Sequence, residues 1–129
     1  MQSTYSQDEA RGFAEEQCPL AYALELVGGK WRLPVVWELS RDSPLRYNEL
    51  RRRLGHVTNA TLSRVLGEME GCGLVLRRDY GEIPPRVEYS LTDAGSSLIP
   101  ALDALYEWGR RQERRLGASE RCLSGGDGA

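Results

Sequence analysis

From Leu20 the apolar residues Leu20, Ala23, Leu24 and Val27 recur at helical spacing, and Gly28-Gly29 then supplies a C-cap and a break, which predicts a first helix. "KWRLPVVWELS" is denser in apolar residues. It predicts a mostly buried second helix starting close to Pro34, since proline is tolerated only in a first turn, with Trp31 and Leu39 as core candidates. "RDSPL" reads as a loop. Asn48 then caps a third helix in which Leu50 and Leu54 face inward at i, i+4, Arg51, Arg52 and Arg53 face out, and Gly55 closes the end. Thr58 caps a fourth, where Leu62, Val65, Leu66 and Met69 form an i, i+3, i+4, i+7 stripe. The opposite face carries Asn59, Ala60, Ser63, Arg64 and Gly67 and is the exposed one. Gly67 costs roughly 1 kcal/mol relative to alanine inside a helix, and marks either a close approach by something bulky or simple drift.

Beyond the "GCG" break the period changes. "LVLRRDY" and "RVEYSL" read as two short strands, with Val87, Tyr89 and Leu91 alternating against Glu88 and Ser90. They predict a hairpin whose loop, "GEIPP", is too long and proline-rich for a two-residue turn and projects as a stiff tip ending in Arg86. Thr92 caps a last helix with Leu98, Leu102 and Leu105 on one face, kinked at Pro100 because proline removes a backbone donor. Residues 1–17 lack a sustained apolar period and are expected to form a flexible arm, and the glycine-rich residues 117–129 a disordered tail. The expectation is one domain over residues 18–116, mainly α with a small β-hairpin wing, hence α+β.

Composition narrows the class. A chain of 129 residues suits one domain, and no apolar run is long enough to span a bilayer. "MQSTYSQDEARGFAEEQ" is polar and acidic, without the basic start and apolar stretch of a secretory signal, so a reducing cytoplasm is expected, with no disulfides at rest. The three cysteines, Cys18, Cys72 and Cys122, form no C-x-x-C pair, and His56 is the single histidine, a bystander in a turn; neither metal nor cofactor is expected. An enzyme has little to stand on: G-x-S-x-G, a phosphate-cradling glycine loop and H-E-x-x-H are all missing. A thiol-redox catalyst built on Cys18 lacks a nearby resolving cysteine, which favours a sensor over an enzyme. Trp31, Trp37 and Trp108 fit core or dimer packing better than a ligand cage.

Helix, turn, helix and a hairpin with an extended loop is the winged helix-turn-helix order, in which the second helix of the pair enters the major groove and the hairpin reaches the flanking backbone. A formal charge of -2 and a sequence pI ≈ 5.5 sit badly with that. Screening resolves the conflict, because a charge reaches only about 8 Å at physiological salt. From Arg46 to Arg64 the chain carries Arg46, Arg51, Arg52, Arg53 and Arg64 against Glu49 alone, while the arm carries Asp8, Glu9, Glu15 and Glu16 against Arg11. The candidate DNA contacts are therefore Asn48, Arg51, Arg52, Arg53, Thr58, Asn59, Ala60, Thr61, Ser63, Arg64 and Arg86. Arg51 to Arg53 and Arg86 suit phosphates, and Ser63 and Arg64 suit base edges, Arg64 a guanine. The plainer alternatives are a solvated arginine face, and an Arg86 that only pairs with Glu82 or Glu88.

From Cys18 to Gly109 the chain resembles the HxlR type of bacterial transcription regulators, a branch close to MarR. "CPLAYALELVGGKW", "RYNELRRRL", "PPRVEYSLTDAG" and "IPALDALYEWG" carry the resemblance, in that order. It implies a homodimer, joined through the first and last helices, that binds double-stranded operator DNA as a repressor or activator. Three positions depart from the pattern. Asn59-Ala60 replace the Pro-Lys common after the recognition-helix cap, so no operator sequence transfers. Gly81 stands where the wing commonly has proline, which loosens the tip, and Pro34 lies in a stretch usually filled by leucine.

Cys18 precedes Pro19 at the start of the first helix, where the helix dipole favours a thiolate. Some relatives sense electrophiles, quinones or disulfide stress with a cysteine at this place, and the resemblance extends that role to Cys18. The alternative is a buried structural thiol in a regulator that answers to another ligand. Cys72 and Cys122 are candidate disulfide partners. A winged helix that has lost DNA and binds protein is the remaining alternative, since fold alone does not set function.

Overall fold

The computed structural model describes residues 18–117; the arm, most of the tail and Cys122 lie outside them. Six helices and three strands follow in the order α1 (Pro19–Val27), α2 (Arg32–Arg41), β1 (Leu45–Arg46), α3 (Tyr47–Leu54), α4 (Asn59–Gly71), β2 (Val75–Asp79), β3 (Val87–Leu91), α5 (Asp93–Ser96) and α6 (Ile99–Leu116). This is a winged helix-turn-helix fold. None of the described helices is long and apolar enough to cross a membrane.

The core is built on α2 and α4. Val35, Val36 and Leu39 of α2 share one buried cluster with Leu62, Val65, Leu66 and Met69 of α4, the whole expected stripe, and with Leu50 of α3. Pro34 is the third residue of α2, inside the first turn as required, and Trp31 is half-buried at the N-cap instead of fully in the core. Gly55 ends α3 with φ 90°, a left-handed conformation that glycine adopts without a Cβ clash.

Three expectations need correction. Asn48 does not cap α3: the helix already includes Tyr47, its N-cap is Arg46, and the carboxylate of Glu49 accepts from the Arg46 amide at 3.3 Å. The loop read over "RDSPL" ends in a strand. Leu45 and Arg46 pair antiparallel with Tyr89 and Glu88, so the hairpin is two strands of a three-stranded sheet in the order β1-β3-β2. The kinked last helix is two helices. Thr92 caps the four-residue α5, its hydroxyl oxygen accepting from the Gly95 amide at 3.0 Å, and Pro100 sits in the first turn of a new helix, where its missing N–H has no intrahelical partner to lose.

α1 buries none of its residues, and Leu20, Tyr22 and Leu24 are exposed along it. α6 buries only Leu102 and leaves Leu105, Tyr106, Trp108 and Leu116 exposed. Between α2, α3 and α6 lies an open cleft of about 490 Å³, flanked by Trp31, Trp37 and Tyr106. Trp37 and Tyr106 stack there with ring centroids 4.9 Å apart.

Candidate nucleic-acid interface

The start of α4 is held from two sides. The hydroxyl oxygen of Thr58 accepts from the Thr61 amide at 3.1 Å, satisfying one of the donors that a helix start leaves open. From α3, the hydroxyl of Tyr47 lies 3.1 Å from Oδ1 of Asn59, 3.2 Å from its carbonyl oxygen and 3.3 Å from Oγ of Ser63. Asn59, Ala60, Ser63 and Arg64 all face solvent on this side, while Thr61 is half-buried. A Cβ built at Gly67 on the same face meets nothing within 4 Å, so no part of the described chain requires glycine there.

Arg64 is already partnered. Its Nη1 donates to Glu68 one turn on, at 3.2 Å from Oε2 and 3.3 Å from Oε1. Glu68 also accepts from Nη2 of Arg32 on α2 at 2.9 Å. These bonds, that from Arg32 first and that from Arg64 second, hold the Glu68 carboxyl below its usual range. Nη1 of Arg32 donates in turn to the carbonyl of Leu26 at 2.6 Å and stands 4.0 Å from Sγ of Cys72. Exposed pairs of this kind are weak, so Arg64 leaves Glu68 at little cost when a better acceptor arrives.

The arginine triplet divides three ways. Arg51 is half-buried and donates from Nε to the carbonyl of Val57 at 3.2 Å, bracing the turn between α3 and α4. Arg53 donates to Asp42 at 2.7 Å and lies 3.8 Å from Glu38, which turns it toward α2; the Asp42 hydrogen bond in particular raises its pKa. Arg52 and Asn48 are both exposed, and Arg52 makes no ion pair or side-chain hydrogen bond among the described residues.

In the wing Arg86 stacks on the ring of Tyr80 at 3.6 Å, with Glu82 at 3.8 Å and Glu88 at 3.9 Å. Glu82 and Glu88 are the two partners expected for an internal pair, while Nε of Arg86 is buried and hydrogen-bonds to none of the described residues. Sequence reasoning missed Arg77 and Arg78. Both are exposed on β2, Arg78 stacked on Tyr80 at 4.6 Å and Arg77 3.8 Å from Asp79. Tyr47 was missed as well, because its place in the first turn of the basic helix, twelve residues from Asn59, holds a signal only once α3 and α4 are folded against each other. Cys18, the N-cap of α1, is 6% exposed, and Cys72 at the end of α4 is exposed; both are free thiols. Among the described residues no cluster of histidine, cysteine or acidic side chains is arranged to hold a metal.

A sequence model of HxlR-like helix-turn-helix proteins matches residues 26–116. The chain belongs to the HxlR-like family. An HTH-type transcriptional regulator of Halalkalibacterium halodurans is 45% identical over 98 residues, 76% of this chain and 87% of that protein. A MarR-family transcriptional regulator from Porphyromonas gingivalis superposes with a TM-score of 0.73 at 33% identity, over 78% of this chain and 97% of its own. The redox regulator HypR in its oxidised form is similar with a TM-score of 0.68 at 38% identity, over 73% of this chain and 96% of its own. This HxlR-like chain is thus a transcriptional regulator of the helix-turn-helix type and not an enzyme.

Proposed function

We propose that the protein is a sequence-specific, homodimeric DNA-binding regulator acting in the cytoplasm, with residues 18–116 as its working domain. The observation that carries this reading is the solvent-facing row Asn59, Ser63 and Arg64 on the capped start of α4, braced by Tyr47. With α4 in the major groove, Arg64 exchanges Glu68 for a guanine edge, and Ser63 and Asn59 read neighbouring bases. Ala60 allows close approach, and Asn48, Arg52, Thr58 and Thr61 lie along the backbone. On the wing Arg77 and Arg78 serve phosphates beside Arg86. Arg51, Arg53 and Arg86 add positive potential while bracing the turn, the α2 contact and the wing. The exposed apolar faces of α1 and α6 support a two-fold dimer through these helices, which sets two α4 helices about one DNA turn, or a multiple, apart. The test is footprinting upstream of the protein's own gene together with native mass. Protection of an inverted repeat by a dimer is expected, with Arg64→Ala losing about 1–3 kcal/mol of specific binding. A monomer whose footprint lacks a repeat would overturn the dimer, and an Arg64→Ala protein with unchanged sequence preference would remove Arg64 as a reader.

A thiol response through Cys18 is the second reading. It is supported by the cysteine's position at the first turn of α1, in the proposed dimer face, and by the likeness to a protein described as a redox regulator. Diamide should release wild type from its operator and spare Cys18→Ser. Equal release of both excludes Cys18.

A further inference from the structure

One continuous polar path joins the end of α1 to the exposed face of α4. Arg32 uses its two terminal nitrogens separately: Nη1 donates at 2.6 Å to the carbonyl of Leu26, and Nη2 donates at 2.9 Å to Oε1 of Glu68. Leu26 lies in the last turn of α1, where carbonyls lack intrahelical donors and a cation is favoured by the dipole. Glu68 is shared, since Arg64 also donates to both its oxygens at 3.2 and 3.3 Å. The Arg32 side chain is only 16% exposed against 58% for Arg64, so the inner arginine is the fixed partner and the outer one the exchangeable partner.

We propose that Arg32 and Glu68 are positioning residues that set the availability of Arg64 for DNA and couple it to the seating of α1. With Arg32 on Glu68, the carboxylate is largely neutralised and holds Arg64 loosely. A displacement of the α1 end that draws Arg32 away leaves the full negative charge to Arg64 alone, and the outer arginine stays on its own helix instead of reaching a base. α1 buries none of its own residues, so its seating answers to whatever packs on its outer face. In this way an event at α1 reaches the DNA-reading surface without any movement of α4 itself.

The inference rests on the reading of α4 as the DNA-reading helix, and a mutant cycle on operator affinity separates the two. Glu68→Gln should raise affinity about two- to threefold, the effect expected for releasing an exposed i,i+4 ion pair, and Arg64→Ala should abolish that gain. Arg32→Ala should lower affinity about two- to threefold in wild type, and by less in a Glu68→Gln background. Comparing the two backgrounds cancels the general loss of one positive charge. An Arg32→Ala cost that is equal in both backgrounds, or a Glu68→Gln protein no tighter than wild type while Arg64→Ala is weaker, overturns the coupling and leaves the DNA reading intact. An Arg64→Ala protein that binds like wild type removes both. Circular dichroism checks that each variant folds. Should Arg32→Ala not fold, the Glu68 and Arg64 pair decides alone, additive effects counting against the proposal.

Discussion

The Tyr47 hydroxyl on α3 stands 3.1 Å from Oδ1 of Asn59 on α4, so the two helices of the helix-turn-helix pair are joined by a side-chain hydrogen bond on the face proposed to meet DNA. Such a bond is worth about 0.5–1.5 kcal/mol net, at the low end where water competes. Tyr47→Phe should therefore cost little in urea unfolding. Its larger effect should be on discrimination between operator variants, because Asn59 and Ser63 lose the partner that orients them. A mutant with wild-type discrimination would show that the bond serves the fold alone.

Arg52 and Arg53 are adjacent in sequence but should behave oppositely. Arg52→Ala should weaken binding to all sequences alike and lower the salt slope by about one, the signature of a lost phosphate contact. Arg53→Ala removes the bond to Asp42 and should mainly lower the urea midpoint, with a smaller change in slope. Titrations at several salt concentrations, paired with urea melts, compare the two.

Two glycines give contrasting alanine variants. Gly67→Ala fills open space in a helix interior and should stabilise by up to about 1 kcal/mol, or up to about 4 °C in Tm. At Gly95 a Cβ would collide with the carbonyl of Leu74 and lie 3.2 Å from the Leu91 side chain. Gly95→Ala should lower stability by about 1–3 kcal/mol, as overpacking does. Thermal melts decide both signs.

The thiols should differ in access. In a Cys122→Ser protein, a bulky disulfide reagent should modify the exposed Cys72 in a fast phase and Cys18, 6% exposed, in a slow one. Peptide mapping after partial reaction assigns the phases. A fast Cys18 would show that the first turn of α1 opens readily, and would strengthen its sensor role.

Much of this fold was legible from the period alone. The stripe on α4 is buried as a unit, because four residues at helical spacing leave one face that only the core can take. β1 was not legible: two residues have no period, and Leu45 and Arg46 become a strand only because β3 offers them a free edge. The last helix was read as one because Thr92 reads as its cap, whereas Leu98, Leu102 and Leu105 all stand at or beyond the α6 N-cap and so carry no sign of the break between α5 and α6. In the site, position was legible and partnership was not. Asp42 and Arg53 stand eleven residues apart, Arg32 and Glu68 thirty-six, and charge patterning within one helix reveals neither pair.

β3 is the middle strand of the sheet, bonded to β2 on one side and to β1 on the other, and β1 runs directly into α3. The hairpin is thereby fastened to the helix pair and has little freedom to swing on its own. In the proposed complex each protomer would meet the duplex as a single rigid key, and the dimer joint would have to absorb any misfit. One base pair added between half-sites turns the second half-site by about 35° and moves it about 3.4 Å. A rigid key follows such a change poorly, so under the proposed function operators should be confined to a narrow choice of half-site spacings while the bases inside each half-site remain free to diverge.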